Sequence, residues 1–280
     1  MKIALIAPEG MLGRAWVELL EREQVSFVSR SFPEIDITQN DSVASFLEAG
    51  ITDVINCAAY TDVDGAETNE TEATRINGEG SARLAERCAA IGATLVHYST
   101  DYVFAGDATA PYPVDAPRAP LNAYGRSKAV GEEAIAKALD AHLILRTSWL
   151  YAPWANNFVL TMKKLGQTKD ALRVVDDQRG RPTSAQHLAA TSLALLRKDA
   201  RGILHATDGG ECTWFDLASY VVSKVRPDGG CVVSPCGSDE YPRPAPRPAY
   251  SVLDLAPTEA LVGPMPSWQS NVDAVLAKHT

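Results

Sequence analysis

The sequence predicts an α/β fold, with a doubly wound parallel sheet followed by a smaller α/β lobe at the C-terminal end. Three observations lead to this prediction. Short apolar runs of strand length alternate with segments of helical periodicity in the first half of the chain. A loop containing glycines joins the first strand to the first helix. The chain has 280 residues, which at roughly 150 residues per domain corresponds to about two lobes.

The first half contains five apolar segments of strand length. We predict strands at 2–6, 25–28, 52–56, 93–98 and 142–147, and helices from the glycine loop to about Arg22, at about 70–91 and at 122–139. Strands connected through helices pair in parallel with right-handed crossovers. Ligands bind such sheets beyond the carboxyl ends of the strands, where the strand order reverses. Motifs that follow a strand therefore carry the most weight.

The second half is less regular. We predict helices at about 157–166, 184–197, 214–225 and 268–278, short strands at 172–176, 202–206 and 231–234, and an ordered proline-rich loop at 242–248. The predicted organisation is a first domain over residues 1–150, rejoined by part of 171–205, and a second lobe made mainly of residues 151–280.

The composition is that of an ordinary globular protein, with 46% hydrophobic and 22% charged residues. No apolar run approaches about 18 residues, and the apolar start of the chain is too short for a signal peptide, so we expect a cytoplasmic protein without a membrane span. The five cysteines have spacings that fit no zinc site, and we expect reduced thiols. The net charge of −9 argues against nucleic acid as a partner.

The segment after the first strand has the spacing of a phosphate-binding loop. Ala7, Gly10 and Gly13 follow the pattern G-x-x-G-x-x-G with alanine at the first position. This pattern provides a tight turn, a close approach of the backbone to a pyrophosphate, and a helix start whose free N–H groups face the anion. Ala7 is small enough to be tolerated at the first position if its φ is negative. Between a strand and a helix, the loop predicts a dinucleotide-binding domain of the Rossmann type.

The end of the second strand bears on the choice of cofactor. Arg30 stands where an acidic residue would bind the ribose 2′-hydroxyl of NADH, and its guanidinium with flanking serines suits a 2′-phosphate. We therefore favour NADPH over NADH, and a purely solvated Arg30 stays open. Asp36 lies a little downstream, where it either contacts adenine or forms a turn before a helix. Ala58 and Ala59 after the third strand leave room for the cofactor or for tight helix packing.

A tyrosine and a lysine with the spacing of one helical turn follow the fourth strand. Tyr124 and Lys128 share one helix face, and the Thr100 hydroxyl at the strand end can bond the same oxygen as the phenol. The ammonium and a cationic nicotinamide are expected to lower the phenol pKa by about three units, so that the phenol protonates a carbonyl as hydride arrives. Tyr220 and Lys224 have the same spacing in a late amphipathic helix, and there we expect packing and solvation.

These residues resemble the extended short-chain dehydrogenase/reductase family, and within it the dTDP-4-dehydrorhamnose reductases. The similarity extends from the glycine loop to about residue 254. The blocks that carry it are NCAAYTDVDGAE at 56–67, HYSTDYVF at 97–104, PLNAYGRSK at 120–128, RTSWLYA at 146–152, NNF at 156–158, DQRGRPT at 177–183, and Arg247-Pro248 with Ser251.

The resemblance implies reduction of dTDP-6-deoxy-L-lyxo-4-hexulose to dTDP-L-rhamnose with NADPH, with NADH as the alternative, and a second lobe that binds the sugar nucleotide. It implies Thr100, Tyr124 and Lys128 as catalytic residues. It places at the cofactor Gly10, Met11, Leu12, Arg30, Asp36, Ile37, Ala58, Ala59 and Tyr60, together with Tyr124 and Lys128. It places Thr100, Asp101 and Trp149 at the substrate, with Asn157 and Arg247 as candidate contacts to the nucleotide diphosphate. An indole such as Trp149 suits the apolar side of a deoxyhexose.

Several positions depart from the family pattern. Ala7 replaces a glycine, which is expected to weaken or redirect pyrophosphate binding. Some relatives dimerise around a divalent metal held by glutamates. Ala15 and Gln186 stand at two of those positions, so we expect no such metal, and any homodimer forms without one. Tyr102 follows Thr100-Asp101 where the related 4,6-dehydratases have glutamate, so elimination of water has no evident second acid/base.

Three other functions stay open at this stage. The first is another nucleoside-diphosphate 4-keto-6-deoxyhexose reductase, because the sequence does not show which face of the sugar the pocket presents. The second is a non-catalytic NADP-binding regulatory subunit that resembles the one of methionine adenosyltransferase, although an intact Thr100, Tyr124 and Lys128 favour an enzyme. The third is a 4-epimerase, which would keep an oxidised cofactor tightly bound.

Overall fold

A six-stranded parallel sheet forms the centre of the computed structural model, which describes residues 1–278. The strands of the chain are β1 (Ile3–Ile6), β2 (Phe27–Arg30), β3 (Asp53–Asn56), β4 (Thr94–Thr100), β5 (His142–Thr147), β6 (Leu150–Tyr151), β7 (Ala171–Val175), β8 (Arg179–Gly180), β9 (Thr183–Ser184), β10 (Gly202–His205), β11 (Cys212–Thr213) and β12 (Val232–Cys236). The central sheet has the order β10-β5-β4-β3-β1-β2, with every neighbouring pair parallel. The strand order reverses between β1 and β3, so the predicted doubly wound α/β fold is confirmed.

Helices cover both faces of this sheet. The helices of the chain are α1 (Met11–Arg22), α2 (Asn40–Phe46), α3 (Val63–Ala66), α4 (Glu70–Thr74), α5 (Ser81–Ile91), α6 (Ala123–Ala138), α7 (Phe158–Thr168), α8 (Ala185–Arg197), α9 (Trp214–Val225), α10 (Ala256–Val262) and α11 (Trp268–Ala277). The apolar residues of α1 and α8 pack on one face, and those of α2, α5 and α6 pack on the other. A π-helical segment, Arg75–Gly80, joins α4 to α5 where the sequence predicts one helix over 70–91.

Helix α1 shows how the sequence pattern sets the packing. Its buried apolar residues Leu12, Ala15, Trp16, Leu19 and Leu20 recur at the spacing of one helix face. The indole N–H of Trp16 donates a 2.7 Å hydrogen bond to the Tyr98 hydroxyl on β4. The start of α1, which follows the glycine loop, is therefore held firmly against the sheet.

Helix α6 is fixed at its start and along its length. The Asn122 side chain caps it by accepting a 2.8 Å hydrogen bond from the Gly125 N–H. A Cβ at Gly125 would lie 2.2 Å from the Tyr102 carbonyl oxygen, so only glycine allows this approach. Further along, Glu132 makes a bidentate ion pair with Arg146 on β5, at 2.8 and 2.7 Å. The helix that carries Tyr124 and Lys128 is thus locked against β4 and β5.

The second lobe is built around α7, α9 and α11. They share an apolar cluster with the strands β7 and β12, which pair in parallel, and its buried members include Val159, Leu217, Val221 and Val272. Strand β10, predicted as part of the second half, joins the central sheet beside β5. The two-residue strands β6, β8, β9 and β11 and the seven-residue helices α2 and α10 are absent from the sequence predictions, because such short elements show no clear periodicity.

None of the helices in the described part of the chain, residues 1–278, combines the length and the apolar character needed to cross a membrane.

Candidate functional site

A cavity of about 880 Å³ opens at the carboxyl ends of the central strands. Ile6, Asn56, Thr100 and Thr147, the last residues of β1, β3, β4 and β5, all line it. This is the edge at which doubly wound sheets bind ligands. The glycine loop and helix α6 border the same cavity.

The glycine loop makes its tight turn through an unexpected conformation. Ala7 has φ of 61°, so the negative φ that would make alanine easy to tolerate here is not present. The turn requires a left-handed residue, and its carbonyl then accepts a 3.3 Å hydrogen bond from the Gly10 N–H. A Cβ at Gly13 would lie 2.0 Å from the Ala7 oxygen, whereas one at Gly10 would meet that atom at an ordinary 3.5 Å. Contacts within the chain therefore require Gly13 but leave Gly10 open toward the cavity.

The first turn of α1 suits an anion. Gly10 provides no side-chain cap, and the turn contains no acidic residue. Met11 and Leu12 line the cavity at the N-terminus of α1, where the helix dipole is positive and backbone N–H groups have no partner within the helix. The loop and this helix start thus form a cradle that fits the pyrophosphate of a dinucleotide.

Two arginines differ in their position relative to the cavity: Arg30 at the end of β2 and Arg75 in the π-helical segment. The Arg30 side chain is half exposed, lies 3.8 Å from Glu34, and is absent from the cavity wall. Arg75, from the π-helical segment, lines the cavity instead and is held by Glu72. Arg75 was not predicted at the cavity, because only the fold brings it there from a segment far along the chain from the end of β2.

Asp36 and Ile37 also line this end of the cavity. The Asp36 carboxylate accepts hydrogen bonds from the backbone N–H and hydroxyl of Thr38, at 2.9 and 2.7 Å. The Thr38 hydroxyl bond is the main reason why the pKa of Asp36 is lowered. The group is therefore an anion at neutral pH, available to a hydroxyl or amino group.

Small side chains follow β3, as the sequence suggested. Ala58 and Ala59 line the cavity. Tyr60 lies behind it: its backbone N–H and carbonyl both pair with the Asn77 amide, at 2.9 and 3.0 Å. Its ring packs against the buried cluster of Ala66, Ala73 and Ala123, which Tyr124 also contacts. The two backbone hydrogen bonds with Asn77 hold the segment after β3 in place beside the cavity.

The three residues expected to be catalytic line the same cavity. Thr100 ends β4, and Tyr124 and Lys128 lie one turn apart on α6. Thr100 and Lys128 are 6% and 2% exposed, so their polar atoms act in a poorly solvated environment. Strand end and helix thus bring a hydroxyl, a phenol and an amine to one wall.

The surroundings of Tyr124 shift the pKa of its phenol. Burial, followed by the negative charge of Asp101, raises the pKa of the phenol, and a hydrogen bond with Thr100 opposes this only in part. The Lys128 amine faces another group, since its Nζ lies 3.2 Å from Nε2 of His97. Tyr124 of the chain alone is therefore a protonated acid at neutral pH. The lowering of its pKa beside Lys128 and a cationic nicotinamide stays a prediction.

Asp101 is buried at the same end of the cavity. Its Oδ1 accepts a 2.9 Å hydrogen bond from the Thr100 hydroxyl. Burial raises the pKa of this carboxyl to about 6. Hydrogen bonds with Ser251 and Thr100 oppose this rise only in part.

Two tryptophans form the opposite wall. Trp149 has φ of 48° and stacks on Trp214 with ring centroids 3.6 Å apart and planes 12° from parallel. Both line the cavity. Trp214 begins α9, and no local signal in the sequence links it to Trp149. The pair provides a broad apolar surface of the kind that sugars bind.

Asn157 and Arg247 do not line the cavity. The Asn157 side chain caps α7 through the Leu160 N–H and donates a 2.9 Å hydrogen bond to the Ala152 carbonyl. Arg247 bonds Asp64 at 2.6 Å and the Ala245 carbonyl at 2.7 Å. Their contacts to a nucleotide diphosphate stay predictions.

Residues 1–278 contain no group of three or more histidine, cysteine or acidic side chains that could hold a metal ion. Ala15 is buried in α1, and the Gln186 amide donates a 3.3 Å hydrogen bond to Glu18. The expectation of a metal-free dimer stays a prediction.

Comparison with known proteins decides the family. The family model described as "RmlD substrate binding domain" matches residues 1–280. The chain belongs to this family. It is 39% identical to a dTDP-4-dehydrorhamnose reductase of Mycolicibacterium smegmatis, over 99% of this chain and 85% of that protein. It is 40% identical to a dTDP-4-keto-6-deoxy-D-glucose reductase of Streptomyces niveus, over 92% of this chain and 91% of that protein.

A solved structure extends the similarity to three dimensions. The chain superposes on the dTDP-4-dehydrorhamnose reductase of Bacillus anthracis, determined in complex with NADP, with a TM-score of 0.92, 33% identity and 99% coverage of both chains. The predicted membership in this group of oxidoreductases is confirmed.

Several residues of this family member's site were missed from the sequence. They are Arg75 and Trp214 on the cavity wall and His97 behind it. His97 stands within the block HYSTDYVF that carried the resemblance, three residues before Thr100, so its place beside the site was readable there. Its contact with Lys128 was not, because the two residues lie 31 positions apart.

Proposed function

We propose that this chain reduces the 4-keto group of a dTDP-linked 6-deoxyhexulose with NADPH, and that its substrate is dTDP-6-deoxy-L-lyxo-4-hexulose, which becomes dTDP-L-rhamnose. The observation that carries the proposal is the meeting of Thr100, Tyr124 and Lys128 with the glycine loop in one cavity. The names of the relatives and the NADP in the Bacillus anthracis structure support it.

The cofactor residues follow from the cavity wall. In this proposal the backbone at Gly10, Met11 and Leu12 holds the pyrophosphate, and the open side of Gly10 fits that role. Asp36 and Ile37 lie toward the adenosine, with Arg30 and Arg75 as candidate cations for a 2′-phosphate, and Ala58, Ala59 and Tyr60 border the remainder. When bound, NADPH supplies the hydride that reduces the carbonyl carbon.

The chain's own residues supply the proton and the orientation. Tyr124 donates its phenolic proton to the carbonyl oxygen, and its raised pKa ensures that the proton is present. The Thr100 hydroxyl hydrogen-bonds the same oxygen. Asp101, which lines the cavity, bonds a sugar hydroxyl, and the Trp149 indole covers the apolar side of the deoxyhexose.

We also propose a division of labour between the lobes. Residues 1–150, rejoined by β10, form the cofactor domain, and residues 151–280 provide most of the sugar-nucleotide lobe. Trp149 and Trp214 lie where the two meet around the cavity. Asn157 and Arg247 reach the nucleotide only if their present hydrogen bonds are exchanged.

The test is turnover of the purified protein with dTDP-6-deoxy-L-lyxo-4-hexulose, followed by the loss of NADPH absorbance and by NMR of the product. We expect dTDP-L-rhamnose and a large loss of rate in Tyr124→Phe. Equal rates of the wild type and this variant would contradict the assigned proton donor.

A second candidate substrate is favoured by one comparison. The Streptomyces niveus relative, at 40% identity, is named a dTDP-4-keto-6-deoxy-D-glucose reductase. Turnover of that ketosugar in preference to the L-lyxo compound would replace our proposal with this one. Binding of NADPH without turnover of either sugar would point to a regulatory subunit, and purification with tightly bound oxidised cofactor would point to an epimerase.

A further inference from the structure

The glycine loop and the end of β2 meet at the rim of the cavity. Ile6 pairs with Arg30 in the sheet, and the Ala7 N–H donates a 2.9 Å hydrogen bond to the Arg30 carbonyl. These contacts bring the following residues of the two segments together, and the Ser31 hydroxyl donates a hydrogen bond to the Glu9 carboxylate. A carboxylate and a hydroxyl thus form a pair where two neighbouring strands end.

This pair lies directly beside the cavity wall. Gly10, which follows Glu9, and Phe32, which follows Ser31, both line the cavity. Glu9 is exposed and Ser31 is half-buried, so a ligand at the rim has access to both side chains.

In doubly wound folds the two sides of this rim bind different parts of a dinucleotide. The pyrophosphate lies at the start of the helix that follows β1, and the adenosine ribose lies at the end of β2. In the proposed function, on which this inference rests, the start of α1 holds the pyrophosphate. The 2′ position of the ribose then faces Arg30 and Ser31, together with Glu9.

The 2′ position is where NADH and NADPH differ. NADH carries a hydroxyl there, which can donate a hydrogen bond, whereas NADPH carries a phosphate with roughly two negative charges and only acceptor oxygens. A carboxylate accepts hydrogen bonds and cannot donate them, so Glu9 suits the hydroxyl and repels the phosphate. Glu9 also receives the proton of the Ser31 hydroxyl, which a phosphate would otherwise accept.

The two arginines proposed for a 2′-phosphate are each beside a carboxylate already. The Arg30 guanidinium lies 3.8 Å from Glu34. Arg75 is bound by both carboxylate oxygens of Glu72, at 2.7 and 2.6 Å. These partners weaken the attraction that either cation offers to a phosphate, and Glu9 adds a further negative charge.

We infer that Glu9 is a specificity-determining residue that lowers the preference of this reductase for NADPH over NADH. Because its side chain is exposed, it can turn toward solvent when a phosphate binds, so NADPH remains a cofactor. That movement breaks the hydrogen bond with Ser31 and leaves a negative charge near the phosphate. Both effects reduce the affinity for NADPH and leave the affinity for NADH unaffected.

Binding of the two reduced cofactors to the purified full-length protein, without sugar, tests the inference. The fluorescence of the nicotinamide gives the Kd of NADPH and of NADH for the wild type, Glu9→Gln and Glu21→Gln. Glu9→Gln keeps the size of the side chain and removes its charge. Glu21→Gln is the matched control, because Glu21 is an exposed glutamate near the far end of α1.

We expect Glu9→Gln to lower the Kd of NADPH by about fivefold or more and to leave the Kd of NADH within about twofold of the wild type. Glu21→Gln should leave the ratio of the two Kd values unchanged. The gain for NADPH should shrink as the ionic strength rises from about 0.01 M to about 1 M, because salt screens the repulsion between exposed charges.

A second set of variants tests the part played by Ser31. In the wild type its hydroxyl proton is bound by Glu9, so Ser31→Ala should change the Kd of NADPH by about twofold or less. In a Glu9→Ala background the hydroxyl is available to a phosphate, and the same change should raise the Kd of NADPH by about threefold or more.

An unchanged ratio of the two Kd values in a folded Glu9→Gln, an equal gain for both cofactors, or the same gain in Glu21→Gln would each overturn the inference. If circular dichroism shows that Glu9→Gln is unfolded, Glu9→Ala gives the ratio instead. A wild type that binds neither cofactor would contradict the proposed function and the inference together, whereas binding with an unchanged ratio contradicts the inference alone.

Discussion

Two tyrosine–lysine pairs in this protein share the same spacing along a helix and differ in burial and in the groups that surround them. Tyr124 and Lys128 on α6, the first half-buried and the second buried, lie at the ends of β4 and β5 and face a large cavity. Tyr220 and Lys224 on α9 both bond the Asp273 carboxylate of α11 at 3.0 Å, and the Lys224 side chain is 43% exposed.

The difference is visible in the two lysines. Burial lowers the pKa of Lys128 to about 8. The hydrogen bond to Asp273 raises the pKa of Lys224 above its ordinary value. The spacing of one helical turn between a phenol and an amine therefore does not determine what the pair does. The surrounding charges and the access of solvent decide whether it performs chemistry or stabilises a contact between helices.

The largest expected effect separates the pairs by activity. Tyr124→Phe removes the proposed proton donor and should reduce kcat/KM for the ketosugar by about 10²–10⁴-fold. Tyr220→Phe removes only a partly buried hydrogen bond to Asp273, away from the cavity, and should leave kcat/KM within about twofold of the wild type. Both are measured as NADPH oxidation at saturating cofactor. Equal losses in the two variants would remove the distinction between the pairs.

The next prediction compares the ion pairs that belong to these helices. Glu132→Gln leaves Arg146 without its buried partner and should lower the free energy of unfolding by about 3–5 kcal/mol. Asp273→Asn breaks an exposed pair with Lys224 and should cost about 1 kcal/mol or less. Urea unfolding at neutral pH measures both, and a similar cost for the two changes would show that burial is not the deciding factor.

A third prediction extends the contrast to two carboxyl groups of the cavity. Asp101 has a pKa raised from 3.8 to about 6, so the folded state binds its proton more tightly and wild-type stability falls as pH rises from about 4 to about 6. Asp101→Asn avoids the buried charge and should raise the free energy of unfolding at pH 8 by up to about 3 kcal/mol.

The control for this prediction is Asp36→Asn. The pKa of Asp36 is lowered, so its contribution to stability is present above pH 3.8 and is lost as pH falls further. This variant should be less stable than the wild type at pH 8, opposite in sign to Asp101→Asn. Urea unfolding curves from pH 4 to pH 8 give both differences, and a pH-independent gain in Asp101→Asn would refute the assignment to ionisation.

The smallest expected effect concerns Ala7 in the glycine loop, which lines the same cavity as Tyr124 and Lys128. Ala7→Gly removes the cost of a left-handed alanine and should raise the free energy of unfolding by about 1 kcal/mol or less, after the added entropy of the unfolded chain. Ala15→Gly, within α1, should destabilise by about 1 kcal/mol. Thermal unfolding followed by calorimetry measures both. A loss of stability in Ala7→Gly would contradict the claim that the positive φ of Ala7 destabilises the folded state.

Much of the fold was predictable because its signals are local. The alternation of strands and helices, the glycine loop and the face shared by Tyr124 and Lys128 depend on residues within a few positions of each other. Short elements such as β6 and α2 were missed because they contain too few residues to show a period.

The sequence by itself determined the doubly wound sheet, the place of the cavity at its strand ends, and the types of side chain that reach it. Only the tertiary structure decided that Arg75 lines the cavity while Arg30 does not, that Trp214 stacks on Trp149, that Ala7 turns with a positive φ, and that Lys128 meets His97. Periodicity and turn chemistry act between neighbours along the chain, whereas burial and hydrogen-bond partners are set by segments that packing brings together from far apart.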